Sequence, residues 1–356
     1  MFISLRIKIL SVLCLNTVFS IFCYSQIGGQ NTYEFLNFTN SARIASLGGN
    51  QISIKDNDLN FVLSNPSLLS ASMDNNLVLN YVNYFSGINY GYVSYAKNLK
   101  KFGSVAAGLH TINYGKFIQA DETGEITGQF FAAEYSLNLF WARAIDSLFS
   151  VGANVKPVLS VMEHYKSYGI LSDVGITYNN SKRLFTASAV VKNIGSQIKP
   201  YVEGSYEPVG FDIQVGVTKK LKHAPFRLSF LAQHLQKFDL TYDNTNVINE
   251  IDTASGKTKK ENKIKNVADK IMRHIVIGVE FMPSKNFYIN LGFNYQRRKE
   301  LVVSTRPFLT GFSAGFGLKI SKFHFSYARA SYHLAGASNF FSLSTNINEL
   351  YKKSKI

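Results

Sequence analysis

The chain has 356 residues, 46% apolar and only 17% charged, with 38 Lys and Arg against 23 Asp and Glu for a formal charge of +15. That apolar share excludes a disordered chain, and the low charge points to a partly greasy surface. No apolar run of about 18 residues follows the N-terminal segment, which excludes a polytopic helical membrane protein.

Arg6 and Lys8 form a basic start, Ile9 to Phe22 an uncharged apolar stretch, and Ser25 stands before a cut ahead of Gln26. This is the pattern of a secretory signal peptide over residues 1–25. A membrane anchor is the alternative, but the apolar core is short for a spanning helix. A lipoprotein reading of Cys23 fits poorly, because bulky Ile21 and Phe22 precede it. Cys14 and Cys23, the two cysteines, both lie here. The exported chain is therefore expected to lack thiols, which removes disulfide frameworks, Cys-bound metals and Cys nucleophiles. Without Arg6 and Lys8 the balance is 36 against 23, or +13. After export that charge suits anionic lipid headgroups or acidic partners better than nucleic acid.

Residues 26–76 read as a periplasmic plug segment. Ser41-Ala42-Arg43-Ile44-Ala45-Ser46-Leu47, followed by Gly48-Gly49, predicts a short helix capped near Asn40 and stopped by glycine. Asn65 before Pro66 places proline at the first position of a helical turn behind an Asn cap. The apolar content (Phe35, Leu36, Phe38, Phe61) argues for folding into a barrel lumen and against a disordered leader.

From Leu77 onward the period is two, the strand signal. Phe211, Ile213, Val215 and Val217 alternate with Asp212, Gln214, Gly216 and Thr218. Phe312, Ala314, Phe316, Leu318 and Ile320 alternate with Gly311, Ser313, Gly315 and Gly317. About fourteen such segments, each roughly nine to thirteen residues and among them Ile271–Phe281, Phe287–Arg298 and Phe308–Ile320, predict an all-β chain: a transmembrane antiparallel β-barrel over residues 77–346. Gly311, Ser313, Gly315, Asp212 and Gln214 are expected to face its lumen. Tyr90, Tyr114, Tyr178 and Tyr332 are expected in the interfacial girdles. Every even-to-odd link is short, as at Ser321-Lys322, while odd-to-even links include Tyr114 to Gly128, Ile194 to Val209 and Lys237 to Lys270. Sorted loop lengths are an outer-membrane trait and put both chain ends, including a tail at 347–356, on the periplasmic side. The polar 237–270 loop reads as solvated, with a partner-binding loop as the alternative.

Chemistry is sparse. Gly311-Phe312-Ser313-Ala314-Gly315 matches the G-x-S-x-G nucleophile elbow, but that motif needs a sharp strand-to-helix turn and here the alternation continues. His110, His164, His223, His234, His274, His324 and His333 make no metal spacing; His274, His324 and His333 could meet inside the barrel. Glu122, Glu125 and Glu203 sit beside turn glycines without the spacing of a calcium loop. No cofactor, metal or nucleic-acid motif is found.

Several strings in order carry a resemblance: Gly29 to Leu36, Ser41-Ala42-Arg43 with Leu47-Gly48-Gly49, Asn65-Pro66-Ser67-Leu68-Leu69, His110 to Gly115, Asn193-Ile194-Gly195, Arg297 to Leu301, Gly311 to Gly315, and Tyr332 to Gly336. Together they resemble the PorQ family of type IX secretion outer-membrane proteins over nearly the whole exported chain. The N-P-x-L-L string is shared with FadL-like transporters and PorV-type shuttles. The resemblance implies a fourteen-stranded FadL-type barrel in the outer membrane and no catalytic residues. It also implies a role beside the surface-attachment machinery, with a PorZ-like partner and PorU and PorV in the same complex. A FadL-like channel for hydrophobic compounds is the alternative; it predicts a greasy pocket beneath the plug. An outer-membrane hydrolase built on a barrel-wall serine and histidine is the third.

Overall fold

The computed structural model describes residues 31–84, 86–241, 263–301, 310–333 and 336–351. The expected signal peptide, the centre of the 237–270 loop and the start of the strand expected from Phe308 lie outside these residues.

Fourteen antiparallel strands close on themselves. They are β1 (Asn76–Asn83), β2 (Asn89–Asn98), β3 (Ser104–Ala120), β4 (Ile126–Ala144), β5 (Phe149–Met162), β6 (Tyr165–Asn180) and β7 (Phe185–Lys199). The second half comprises β8 (Asp212–Lys220), β9 (Phe226–Ala232), β10 (Ile275–Phe281), β11 (Phe287–Asn294), β12 (Phe312–Ile320), β13 (Phe323–His333) and β14 (Gly336–Asn346). Each strand pairs with its sequence neighbours, and β1 meets β14 from Asn76 opposite Asn346 to Asn83 opposite Asn339. Closure leaves no sheet edge with unpaired amides, which hydrocarbon would not tolerate. Alternation sets the faces: Leu79, Trp141, Val215, Leu291 and Phe312 are exposed outward, while Ser94, Asn138, Asp173, Thr177 and Gln214 are buried inward. Phe149 with Tyr178, at 5.2 Å, belongs to the outer aromatic surface.

Residues 31–75 fill the lumen. Helix α1 (Ala42–Ser46) and single 3-10 turns at Glu34–Asn37, Leu59–Leu63, Pro66–Leu68 and Ala71–Met73 carry fully buried Phe35, Leu47, Phe61 and Leu68. Three further helices follow: α2 (Lys263–Arg273), α3 (Tyr295–Leu301) and α4 (Ile347–Tyr351).

Several boundaries differ from the sequence expectation. The N-cap of α1, expected near Asn40, is the adjacent Ser41, whose hydroxyl makes no capping bond. Tyr114 to Gly128 is mostly wall: β3 runs to Ala120 past a register shift after Asn113, and the link is a tight turn at 121–125. Ile194–Lys199 likewise extends β7. Ile271 to Arg273 and Tyr295 to Arg298, expected as strand, are the end of α2 and the start of α3. Gly311 is not in β12 but in a turn before it at φ +84°, where a Cβ would meet Arg298 and the Asn294 carbonyl. Tyr90 and Tyr114 are not girdle residues. The Tyr90 hydroxyl donates inward to the Thr39 carbonyl at 2.7 Å, and that of Tyr114 to Glu134 at 2.5 Å.

Candidate functional site

The candidate site is the plug and its seat, and the motif residues build it. The chain leaves α1 through Gly48 and Gly49, at φ +97° and +91°, whose amides return to Ala45 and Ile44. This is a left-handed stop that a side chain would strain. Three wall groups hold the stop: Ser313 Oγ accepts from the Gly48 amide at 3.1 Å, Asn294 donates to its carbonyl at 3.4 Å, and Asn290 donates to Ser46 Oγ at 3.0 Å. Ser342 accepts from the Ala42 amide at 2.9 Å. Gly292 is glycine because the plug lies on it, and Gly315 because the plug and the Tyr327 carbonyl of β13 both crowd it. A Cβ at 292 would sit 2.0 Å from Gly48 N, and one at 315 would sit 2.8 Å from Ser46 Cβ. Ser313 therefore anchors backbone and is no nucleophile elbow.

On the opposite wall Asn65 caps the Pro66 turn by accepting from Ser67 N at 3.0 Å, and its amide donates to the Ile52 carbonyl and Thr177 at 2.8 and 3.1 Å. Ser67 and Thr177 hydroxyls lie 2.7 Å apart. Gly152 and Gly175 clear space for Pro66 and Asn65, whose atoms a Cβ would meet at 2.5 and 2.2 Å. A third contact joins Ser53 and Thr218 at 2.7 Å, with Ile52 over Gly216.

Arg43 was singled out with α1, but its role needed the fold. Its three guanidinium nitrogens reach Glu280 at 3.0 Å, Asp58 at 3.1 Å and Asp56 at 2.8 Å. Arg227 shares Asp56 and Glu280 at 3.0 and 2.9 Å. Phe61 and Tyr288 face the Arg43 guanidinium at 5.0 and 4.9 Å. Sequence spacing could not find this network, because its members come from the plug, β9 and β10. A second one, also missed, joins Lys156 to Asp173 at 2.6 Å and to Asn193 at 2.5 Å, with Asn193 donating to Asn37 of the plug at 3.1 Å. Both Lys156 and Asp173 occupy inward positions of otherwise small or polar alternation, the one signal available.

Asp212 and Gln214 face inward as expected, but they are packed and not solvated. Gln214 donates to Asp212 at 2.6 Å, and Asp212 accepts from the His234 amide at 2.7 Å. His274 and His324 do not meet; the His333 side chain lies outside the described residues. His274 lies at the long-loop end on the carbonyls of Gln233 and Phe238, at 2.8 and 3.1 Å. His324 lies at the short-turn end beside Tyr288, ring centroids 5.5 Å apart. A cavity of about 600 Å³ opens at the short-turn end between plug and wall, lined by Arg43, Asp56, Asp58, Arg227, Tyr288 and His324. Its lining is charged, unlike the greasy pocket that a hydrocarbon channel predicts.

At the long-loop rim, Asp269 of α2 joins Tyr295 at 2.7 Å, Arg273 at 2.9 Å and Lys299 at 3.0 Å. Partial burial works against its charge, but hydrogen bonds from Tyr295, Arg273 and Lys299 prevail and hold the carboxyl down at about 2.

Among solved structures, the Pseudomonas putida toluene transporter TodX is similar at TM-score 0.51 and 12% identity, over 88% of this chain and 99% of that one. The chain shares that β-barrel fold. The Ralstonia pickettii toluene transporter TbuX (TM-score 0.49, 10% identity, 87% and 99% covered) and a Pseudomonas aeruginosa FadL homologue (0.45, 11%, 86% and 98%) also match. At these identities the likeness is one of fold. No family model and no curated relative matches the chain. Fourteen closed strands with an apolar outer belt make this an outer-membrane type of barrel.

Proposed function

We propose that the chain is a non-enzymatic, plugged outer-membrane barrel of the type IX secretion system, anchoring a PorZ-like surface protein of the cargo-attachment complex near PorU- and PorV-like members. A signal peptide at 1–25 would deliver it, with outer-membrane lipid and lipopolysaccharide around it. One observation carries the reading. Within the strings that resemble the PorQ family (Ser41, Ala42, Arg43, Gly48, Gly49, Asn65, Pro66), Ala42, Arg43, Gly48 and Asn65 tie 31–75 to the barrel wall. A lumen packed with side chains suits an anchor, which needs a rigid rim and no conduit. Affinity isolation in mild detergent tests it: the barrel should bring down a surface protein, and deletion of its gene should leave cargo unattached. Isolation of the barrel alone together with normal cargo attachment would end the proposal.

The FadL-like fold favours a second reading, a channel for hydrophobic small molecules, since TodX is described as a toluene transporter. It requires the plug to yield. Slower uptake of a hydrophobic compound on deletion, with cargo attachment intact, would favour it over the anchor. The hydrolase reading keeps only Ser313, whose hydroxyl is engaged by the plug.

A further inference from the structure

Helix α2 packs with its polar side inward and its apolar side outward. At about 100° per residue, Ile264, Val267, Ile271 and Met272 fall on one arc, with Asp269 and Arg273 opposite. The polar arc is the held one. Asp269 reaches Tyr295, Arg273 and Lys299, Lys270 pairs with Asp239 at 2.5 Å, and Arg273 donates to the Leu240 carbonyl at 3.5 Å. The apolar arc is exposed: Ile264 by 82%, Val267 by 48%, Ile271 by 49% and Met272 by 37%. A helix on a soluble surface does the reverse, because exposed apolar area is unfavourable.

The position of the helix says what the stripe meets. Tyr295, which holds Asp269, lies edge-on to Phe293 at 6.4 Å, and Phe293 packs on Phe312 at 4.7 Å on the outward face of β11 and β12. The clamp thus fixes α2 at the long-loop rim on the lipid side, continuous with the apolar belt. An amphipathic helix whose apolar arc faces outward at the margin of a hydrocarbon belt matches a membrane surface.

We propose that α2 is an interfacial helix lying on the outer leaflet, its Val267–Ile271 stripe below the headgroups and its polar arc held by the barrel rim. The barrel rim is thereby widened by a helical foot.

Trp141 is the single tryptophan, which makes the test direct. A Trp141→Phe, Ile271→Trp chain, reconstituted in phosphatidylcholine–phosphatidylglycerol vesicles, reports the depth of α2, and Val267→Trp serves as a second reporter. Folding of either is checked by its heat-modifiable migration. Lipid brominated high on the acyl chain should quench the indole roughly twofold, while aqueous iodide does little. An indole quenched by iodide and untouched by bromolipid at both positions would overturn the proposal.

Discussion

Replacing Arg43 with Met tests whether the plug is seated by its buried ion network. The arginine side chain is 7% exposed and engages three carboxylates within 3.1 Å. In the variant Asp56 and Glu280 keep Arg227, whereas Asp58 loses its guanidinium. Removing one member of a buried pair costs about 3–5 kcal/mol. The shared carboxylates bring that to the lower end, about 3 kcal/mol, for opening of the plug. At 1.4 kcal/mol per decade the α1 amides should exchange with deuterium about a hundredfold faster. The Ala45 amide, bonded to the Ser41 carbonyl at 2.8 Å, is the one to follow. Combining Arg43→Met with Glu280→Gln should cost less than the two single changes together, because they remove one interaction. Exchange changed less than about fivefold, under 1 kcal/mol, would refute the idea that this network holds the plug.

Val215→Arg puts a charge in the lipid belt and should cost about 2–4 kcal/mol if the site lies near the bilayer midplane, read by urea unfolding in vesicles. Gln214→Glu should also destabilise, because the new carboxylate faces Asp212 at 2.6 Å, and Asp212→Asn should relieve it. Relief of Val215→Arg by the same second change would contradict the assigned faces. Gly292→Ala should destabilise by about 1–3 kcal/mol because Gly48 backbone fills its space, while Gly336→Ala, with nothing near, should be close to neutral in the same measurement. The Asp269 carboxyl is depressed to about 2 when folded, so its clamp on α3 contributes fully above the ordinary carboxylate range and is lost as pH falls from about 4 to about 2. A spin label on α2 should gain mobility over that interval; release already at pH 5 would contradict it.

Strand number and facing were legible because lipid and lumen impose opposite demands on alternate residues. Val215 and Gln214 read correctly for that reason. The pattern says which face is inward but not what fills it. Gln214 and Tyr90 lie against protein, and nothing in a strand of small and polar residues distinguishes a wet lumen from a packed one. Tyr90 and Tyr178 share residue type and nearness to a strand end, yet one serves the plug and the other the lipid belt. Strand ends at the long-loop side were misread, since Tyr114–Ala120 continues the wall beyond a bulge and Tyr295–Leu301 turns helical without a proline or glycine to mark the change. The Arg43 network was invisible for a different reason: Asp56, Arg227 and Glu280 are far apart in sequence and ordinary in composition.

The most direct measurement is ion conductance of the purified chain in a planar lipid bilayer, beside a variant lacking residues 31–75. A barrel filled by those residues should insert and stay electrically silent, and the shortened chain should pass steady current. Steady current through the intact chain, equal to that of the shortened one, would mean the lumen is not plugged.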